Sequence, residues 1–147
     1  MSKSILALLT GTALLSLVFR FCSSSTPEIV FIFPNNFRGT AKIRAEQPNG
    51  SKLDRTQSTV EFQFPRSGVL DIQDRLPSLE WHRVSAKYES GEEILIVQPD
   101  NEVSDSQIAL RPAGLVGEKE DWYVVGTYDD LKRAMEEKRG FEFPPEK

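Results

Sequence analysis

Short runs in which apolar and polar residues alternate are the feature that most constrains the fold of this chain. Between residues 40 and 46, Ala41, Ile43 and Ala45 alternate with polar or charged residues. A period of two is that of a β-strand with one buried face. Similar runs recur at roughly ten-residue spacing, with turn-forming Gly, Pro and Asn between them. The sequence therefore predicts a mainly β domain, a single antiparallel β-sandwich or open barrel of about seven short strands.

A continuous apolar run, Glu28–Phe33, opens the domain. It is rich in β-branched and aromatic residues and too short for a helix, which predicts a strand buried on both faces. The residues from Pro34 to Gly39 have turn chemistry. Because the alternating segment follows this turn directly, we expect the first two strands to form an antiparallel pair. Further strands are predicted at 59–64, 70–73, 81–88, 93–97, 108–110 and 122–126.

One α-helix is predicted at the C-terminal end of the chain. Thr127 can cap it, and Asp130 three residues later has the spacing of a capping box. Apolar residues at helical spacing give the helix one stripe, which we expect to pack on the sheet. Gly140 is predicted to end the helix.

An apolar leader is predicted to precede the domain. Residues 1–25 are interpreted as a signal peptide or short membrane anchor, and residues 26–147 as a β-sandwich-like domain of unknown function. As a helix, the run Ile5–Phe19 spans about 22 Å, which is short of the ~30 Å hydrocarbon core. Export is therefore expected, to the periplasm, the medium or a membrane-anchored state. Three fates stay open: cleavage to a soluble product, lipidation at Cys22, and retention as an anchor.

Charge and residue usage narrow the classes of function. The chain carries 18 Lys and Arg against 22 Asp and Glu, and the leader contains no acid. An acidic domain is repelled by phosphate backbones, so no nucleic-acid partner is expected, and membrane contact only through the leader. The domain has no cysteine and one histidine, His82, whereas a catalytic zinc site usually takes three protein ligands. We predict no metal, no cofactor and no catalytic set of residues.

Three stretches stand out when they are taken together. The first runs from Phe33-Pro34 through Phe37-Arg38-Gly39 to the turn at 47–50, the second is 64–74, and the third is 123–127 with the acidic helix start. Together they resemble a family of small exported bacterial proteins that is known only as a domain of unknown function. The resemblance covers most of the chain after the leader. It implies bacterial export and a β domain behind a signal peptide, and it transfers no activity or site residue.

Aromatic and arginine side chains near turns are the candidate binding residues, because these residue types are favoured at binding hot spots. Each of them can instead pack under a loop or against the helix. The predicted function is a non-enzymatic binding or accessory module at the bacterial cell envelope, with an envelope protein or glycan as partner. The candidates are Phe37, Arg38, Trp81, Arg83 and Trp122.

Two other functions stay open from the sequence. One is a small extracytoplasmic hydrolase that uses acidic residues, with His82 as a helper, and it requires converging carboxylates of raised pKa in a cleft. The other is a purely structural accessory domain.

Overall fold

The computed structural model describes residues 28–54, 56–76, 83–98 and 101–142. The predicted leader with Cys22 lies outside the described residues, and so do Trp81 and His82. Across the described residues the chain forms seven strands and one helix: β1 (Glu28–Phe33), β2 (Gly39–Arg44), β3 (Thr59–Gln63), β4 (Val69–Asp71), β5 (Arg83–Tyr88), β6 (Ala109–Val116), β7 (Glu120–Gly126) and α1 (Tyr128–Glu142).

The strands form two sheets that share one core. A three-stranded sheet has the order β3-β1-β5, and a four-stranded sheet has the order β4-β2-β7-β6. Apolar side chains from both sheets form the larger core cluster, and α1 packs on β6 and β7 over a smaller one. The prediction of a mainly β, sandwich-like domain with one C-terminal helix is confirmed. The strands do not close into a barrel.

The pairing of the strands differs from the expected antiparallel arrangement. β1 pairs in parallel with both β3 and β5, and β2 pairs in parallel with β4. Antiparallel pairing is confined to β2 with β7 and β6 with β7 among the described strands. The prediction that the first two strands form an antiparallel pair is wrong, because the turn between them carries the chain into the other sheet.

Two stacked arches explain the parallel pairing. β1 and β2 form one arch and β3 and β4 the other, and each arch crosses from the three-stranded to the four-stranded sheet. Both turns start with a Phe-Pro dipeptide and close with a backbone hydrogen bond, from Phe37 N to the Pro34 oxygen at 3.0 Å and from Gly68 N to the Pro65 oxygen at 2.9 Å. Because both arches run in the same sense, their strands lie parallel within each sheet.

Gly68 allows the two arches to stack closely. Its φ of +73° lies in the left-handed region, and a Cβ there would meet the Thr40 carbonyl oxygen at 2.5 Å. The Gly68 carbonyl accepts a hydrogen bond from Lys42 N at 2.8 Å. A side chain at position 68 would therefore separate β2 from the second arch.

Aromatic rings join the two sheets in the core. Phe31 of β1 lies 4.8 Å from Tyr123 of β7 and 5.6 Å from Phe62 of β3, measured between ring centroids. At the end of the arches, Phe33 stacks on Phe64 at 4.6 Å and on Phe37 at 5.3 Å. These rings fill the space between the sheets from the middle of β1 to its turn.

The segment predicted as a strand at 93–97 instead links the two sheets at one side of the sandwich. Ile94 N donates to the Ala86 oxygen of β5 at 2.8 Å, and Val97 N donates to the Leu110 oxygen of β6 at 3.0 Å. Only isolated bridges form there, at Glu93 and Ile96. The segment therefore covers the gap between β5 and β6 without becoming a strand of either sheet.

The helix begins as predicted and ends two residues later than predicted. Thr127 N donates to Asp130 Oδ2 at 2.9 Å, and Asp130 N donates to Thr127 Oγ1 at 3.4 Å, which is the reciprocal pattern of a capping box. The helix continues past Gly140 to Glu142. It covers Trp122, which is fully buried with Lys42 Nζ 3.6 Å above its ring.

A buried arginine fastens the loop before β6 to the end of β7. Arg111 is 3% exposed, and its guanidinium donates to the carbonyl oxygens of Gly126 at 3.1 Å, Ser104 at 2.9 Å and Gln107 at 3.0 Å. The planar guanidinium reaches three acceptors that a single amine could not reach together. The loop at 104–107 therefore depends on this side chain and on the Tyr128 N–H, which donates to the Asp105 oxygen at 2.9 Å.

Replacing Arg111 tests this dependence. We expect Arg111→Leu to lower the free energy of unfolding by about 3 kcal/mol, since three carbonyls lose a charged donor. Arg111→Lys should recover only part of this loss, and Arg66→Leu, at an exposed position, should change it by less than about 0.5 kcal/mol. Urea denaturation measures all three. Wild-type stability in Arg111→Lys would show that the forked geometry is not needed.

Candidate functional site

A groove lies between the free edge of β3 and the segment Ser51–Asp54, on the side of the sandwich away from the 93–97 segment. We call it the seam groove. It has a volume of about 360 Å³, at the small end of the range for ligand sites. It is lined by Ser51, Lys52, Leu53, Asp54, Gln57, Thr59, Glu61, Phe62, Gln63, Leu70 and Ile72.

The wall of the groove at Ser51–Asp54 is held by the edge of β4 and the residues after it. Ser51 N donates to the Asp71 oxygen at 2.9 Å, and Gln73 N donates to the Ser51 oxygen at 3.0 Å. Leu53 N donates to Asp74 Oδ2 at 2.8 Å. This wall therefore belongs to the four-stranded sheet, and the β3 wall belongs to the three-stranded sheet.

Gly50 sets how closely the Ser51–Asp54 wall approaches. A Cβ at Gly50 would lie 2.6 Å from the Ile72 carbonyl carbon and 2.7 Å from its nitrogen, both of them backbone atoms. Backbone at that distance cannot move aside as the end of a side chain can. Glycine is therefore required here by the close approach of two chain segments.

A tight turn at Asp54 closes one end of the groove. The Asp54 carboxylate accepts hydrogen bonds from Thr56 Oγ1 at 2.6 Å, Thr56 N at 3.0 Å and Gln57 Nε2 at 3.1 Å. These bonds, first among them the one from the Thr56 hydroxyl, hold the pKa of Asp54 below its ordinary value. Asp54 is thus kept ionised and committed to the turn, which does not suit a general acid.

The floor of the groove is apolar and its rim is polar. Phe62 and Ile72 are 1% and 0% exposed and belong to the shared core, and Leu53 at 9% belongs to it as well. Glu61 and Gln63 are exposed at the rim on β3, and Lys52 is exposed on the opposite wall. An apolar floor with a polar rim can hold a ligand of mixed character, such as a peptide segment.

A second depression lies on the outer face of the three-stranded sheet, beside β5. It is larger, about 660 Å³, and more open, and its lining includes Val30, Ser85, Lys87 and Leu95. The backbone that borders this depression is already hydrogen-bonded, because the 93–97 segment bonds to β5 and to β6. We therefore take the seam groove as the candidate site.

Two of the predicted binding residues, Phe37 and Arg38, lie at the end of the first arch, away from the lining of the seam groove. The Phe37 ring is half-buried against Phe33 and the second arch. The Arg38 guanidinium donates to the Tyr88 hydroxyl and to the Phe37 carbonyl. Both side chains therefore have contacts within the fold at one end of the core.

The other predicted binding residues are dispersed. Arg83 is exposed at the start of β5. Trp122 is fully buried beneath α1, and its Nε1 donates to Glu120 Oε2 at 3.0 Å, so it offers no surface to a partner. Trp81 and the predicted lipidation site Cys22 lie outside the described residues. The binding roles of Phe37, Arg38, Trp81 and Arg83 stay predictions.

The hydrolase alternative requires carboxyl groups of raised pKa, and three acidic residues in the described ranges have a clearly shifted pKa. Each of these shifts lowers the pKa. A hydrogen bond from Lys119 lowers the pKa of Glu46. Hydrogen bonds from Thr56 lower the pKa of Asp54, and hydrogen bonds from Thr127 lower the pKa of Asp130. No group of three His, Cys, Asp or Glu side chains placed to hold a metal ion occurs in the described part of the chain. Among those same residues, no helix has the length and apolar character needed to cross a membrane.

Comparison with known proteins adds a distant likeness. No family model matches the sequence. No curated protein matches it either. The crystal structure named "Putative Lipoprotein from Bacillus anthracis" is similar, with 10% identity and a TM-score of 0.40, over 67% of this chain and 68% of that chain. A likeness at this level transfers no function and no site residue to the chain.

Placing a methyl group at Gly50 tests how the seam groove is built. We expect Gly50→Ala to lower the free energy of unfolding by about 2 kcal/mol, because the wall must move off the Ile72 backbone. Gly140→Ala is the control: nothing lies within 4 Å of a Cβ there, and the exposed helical site should gain about 0.5–1 kcal/mol.

Urea denaturation measures both variants, and amide hydrogen exchange at Ser51 and Gln73 locates the change. Unaltered exchange at those amides in a fully stable Gly50→Ala variant would contradict the close approach.

Proposed function

We propose that this chain is an exported, non-enzymatic accessory protein of the bacterial cell envelope that binds a partner protein in the seam groove. The observation that carries the proposal is the groove itself: an apolar floor continuous with the core, open between two sheets. The floor residues Phe62 and Ile72 are buried and Leu70 beside them is half-buried, and a groove with an apolar floor and a polar rim is typical of ligand sites.

Surface composition supports a protein partner over a phosphate-bearing one. Among the described residues that line the groove, Asp54 and Glu61 are acidic and Lys52 is basic. The chain as a whole has a net charge of −4. A protein or peptide segment with apolar and basic side chains fits this surface better than an anionic polymer does.

Export is supported by the leader predicted from the sequence. Its basic start at Lys3 and the apolar run Ile5–Phe19 have the order of charge and hydrophobicity that a signal peptide has. The domain has no cysteine, so it requires no disulfide in an oxidising compartment.

Fractionation and intact mass test export. In its native cells, we expect the full chain in the envelope or medium, and a variant lacking residues 1–25 in the cytoplasm. The intact mass of the native product identifies cleavage, lipidation at Cys22 or retention of the leader. Equal cytoplasmic recovery of both forms would overturn the proposal of export.

Site-specific photo-crosslinking tests the seam groove as the binding surface. A photoreactive amino acid at Gln63 or Lys52, on opposite sides of the groove, should form a crosslink to one defined envelope protein in living cells. The same amino acid at Glu136 or Arg139, on the exposed surface of α1, should not. Equal crosslinking from the helix and the groove, or none from the groove, would overturn the proposed site.

A further inference from the structure

We infer that the seam groove takes its partner by strand addition: an extended peptide segment pairs with the free edge of β3. This rests on the proposed function and names the chemistry of its partner. The segment alternates apolar with polar residues and carries Lys or Arg beside Glu61.

The hydrogen bonds of β3 define which of its backbone groups face the seam groove. Phe64 N donates to the Ile32 oxygen, and Glu28 N donates to the Ser58 oxygen, both at 2.9 Å. In a strand the N–H and C=O groups of successive residues point to opposite edges. The even-numbered residues therefore face β1, and the backbone groups of Thr59, Glu61 and Gln63 face the seam groove. Within the described part of the chain, no hydrogen bond satisfies those three residues' backbone groups.

The opposite wall also presents backbone groups to the groove. The Ser51 and Leu53 backbones bond toward the residues at the β4 edge, so Lys52 between them faces the other way, into the groove. Strand-like backbone thus borders the groove on both sides. At the far side of the sandwich the corresponding gap, between β5 and β6, is bridged by the 93–97 segment. Among the described residues, the seam lacks such a bridge.

An added strand would present its side chains to two different surroundings. Side chains alternate between the two faces of a strand, so every second residue of the segment would point to the floor at Phe62, Leu70 and Ile72. The residues between them would lie outward, beside Glu61. Glu61 is exposed, and the described residues provide no ion-pair partner for it. A cation directly across from Glu61 is therefore favoured.

The charge of Glu61 distinguishes a partner segment from a second copy of this chain. Two β3 edges paired antiparallel through Thr59, Glu61 and Gln63 would place one Glu61 directly opposite the other. Like charges in directly opposed positions destabilise a strand pair. The observed sequence of β3 therefore favours a basic partner segment over self-association.

Synthetic peptides and the isotope-labelled full chain test this inference. The probe is a seven-residue peptide that alternates Val with Thr and has Lys at its centre. We expect it to protect the amides of Thr59, Glu61 and Gln63 from hydrogen exchange and to leave the already paired amides of β1 unchanged. N-methylation of the peptide bonds that face β3 should weaken binding at least tenfold, because the backbone donors are lost.

A charge exchange tests the basic partner. Replacing the central Lys of the peptide by Glu should weaken binding about fivefold, and Glu61→Lys should reverse that preference. Glu136→Lys, an exposed change of the same charge on α1, should leave the preference for the Lys peptide unchanged.

Three outcomes would overturn the inference: N-methylated and unmethylated peptides that bind equally, unprotected Thr59, Glu61 and Gln63 amides, or protection of the same amides by dimer formation without peptide. Crosslinks from Gln63 and Lys52 to an envelope protein, combined with unprotected β3 amides, would leave the proposed function standing and remove strand addition alone.

Discussion

The packing of Phe31 between the two sheets is the interaction on which the rest of the structure depends. Its ring lies 4.8 Å from Tyr123, the contact that joins the middle of β1 to the middle of β7. A sheet with one apolar face must bury that face against another layer, and here each sheet covers the other. The arches, which bring Phe33 and Phe64 into a stack at the end of the core, extend this contact between the sheets.

A sandwich of this topology has two open sides, and the chain treats them differently. Between β5 and β6 the 93–97 segment bonds to both sheets. Between β3 and Ser51–Asp54 no described segment crosses, although strand-like backbone lines both walls. The first side shows that the chain can cover a gap of this kind with one extended segment. An extended segment in the seam groove would therefore lie between the two sheets as the 93–97 segment does on the other side.

The sequence predicted which residues are buried better than which strands are neighbours. Ala41, Ile43 and Ala45 are buried as their alternation requires, and β1 runs over the predicted residues Glu28–Phe33. Alternation identifies the buried face of a strand but carries no information about its partner. The repeated Phe-Pro dipeptide, at Phe33 and Phe64, was the available signal for two equivalent arches. The strand partners could not be predicted, because a turn of that length is compatible with a hairpin and with an arch.

The candidate site could not be predicted for the same reason. Trp122 is of the residue type that binding surfaces favour, but the helix that covers it is fixed by the tertiary fold. The segment Ser51–Asp54 has no periodicity, and it becomes a wall only because Gly50 lies against the Ile72 backbone, more than twenty residues away in sequence.

The charge of Glu61 affects strand pairing at the exposed edge of β3 in two ways. Exposed strand edges invite pairing with other copies, and a charge in the middle of a short edge strand opposes that pairing. The same carboxylate favours a basic residue across the edge. With a neutral residue at position 61, the β3 edge would not discriminate between a second copy of the chain and a partner strand. Protection against self-association and the charge preference of the proposed added strand therefore have the same electrostatic origin at this edge.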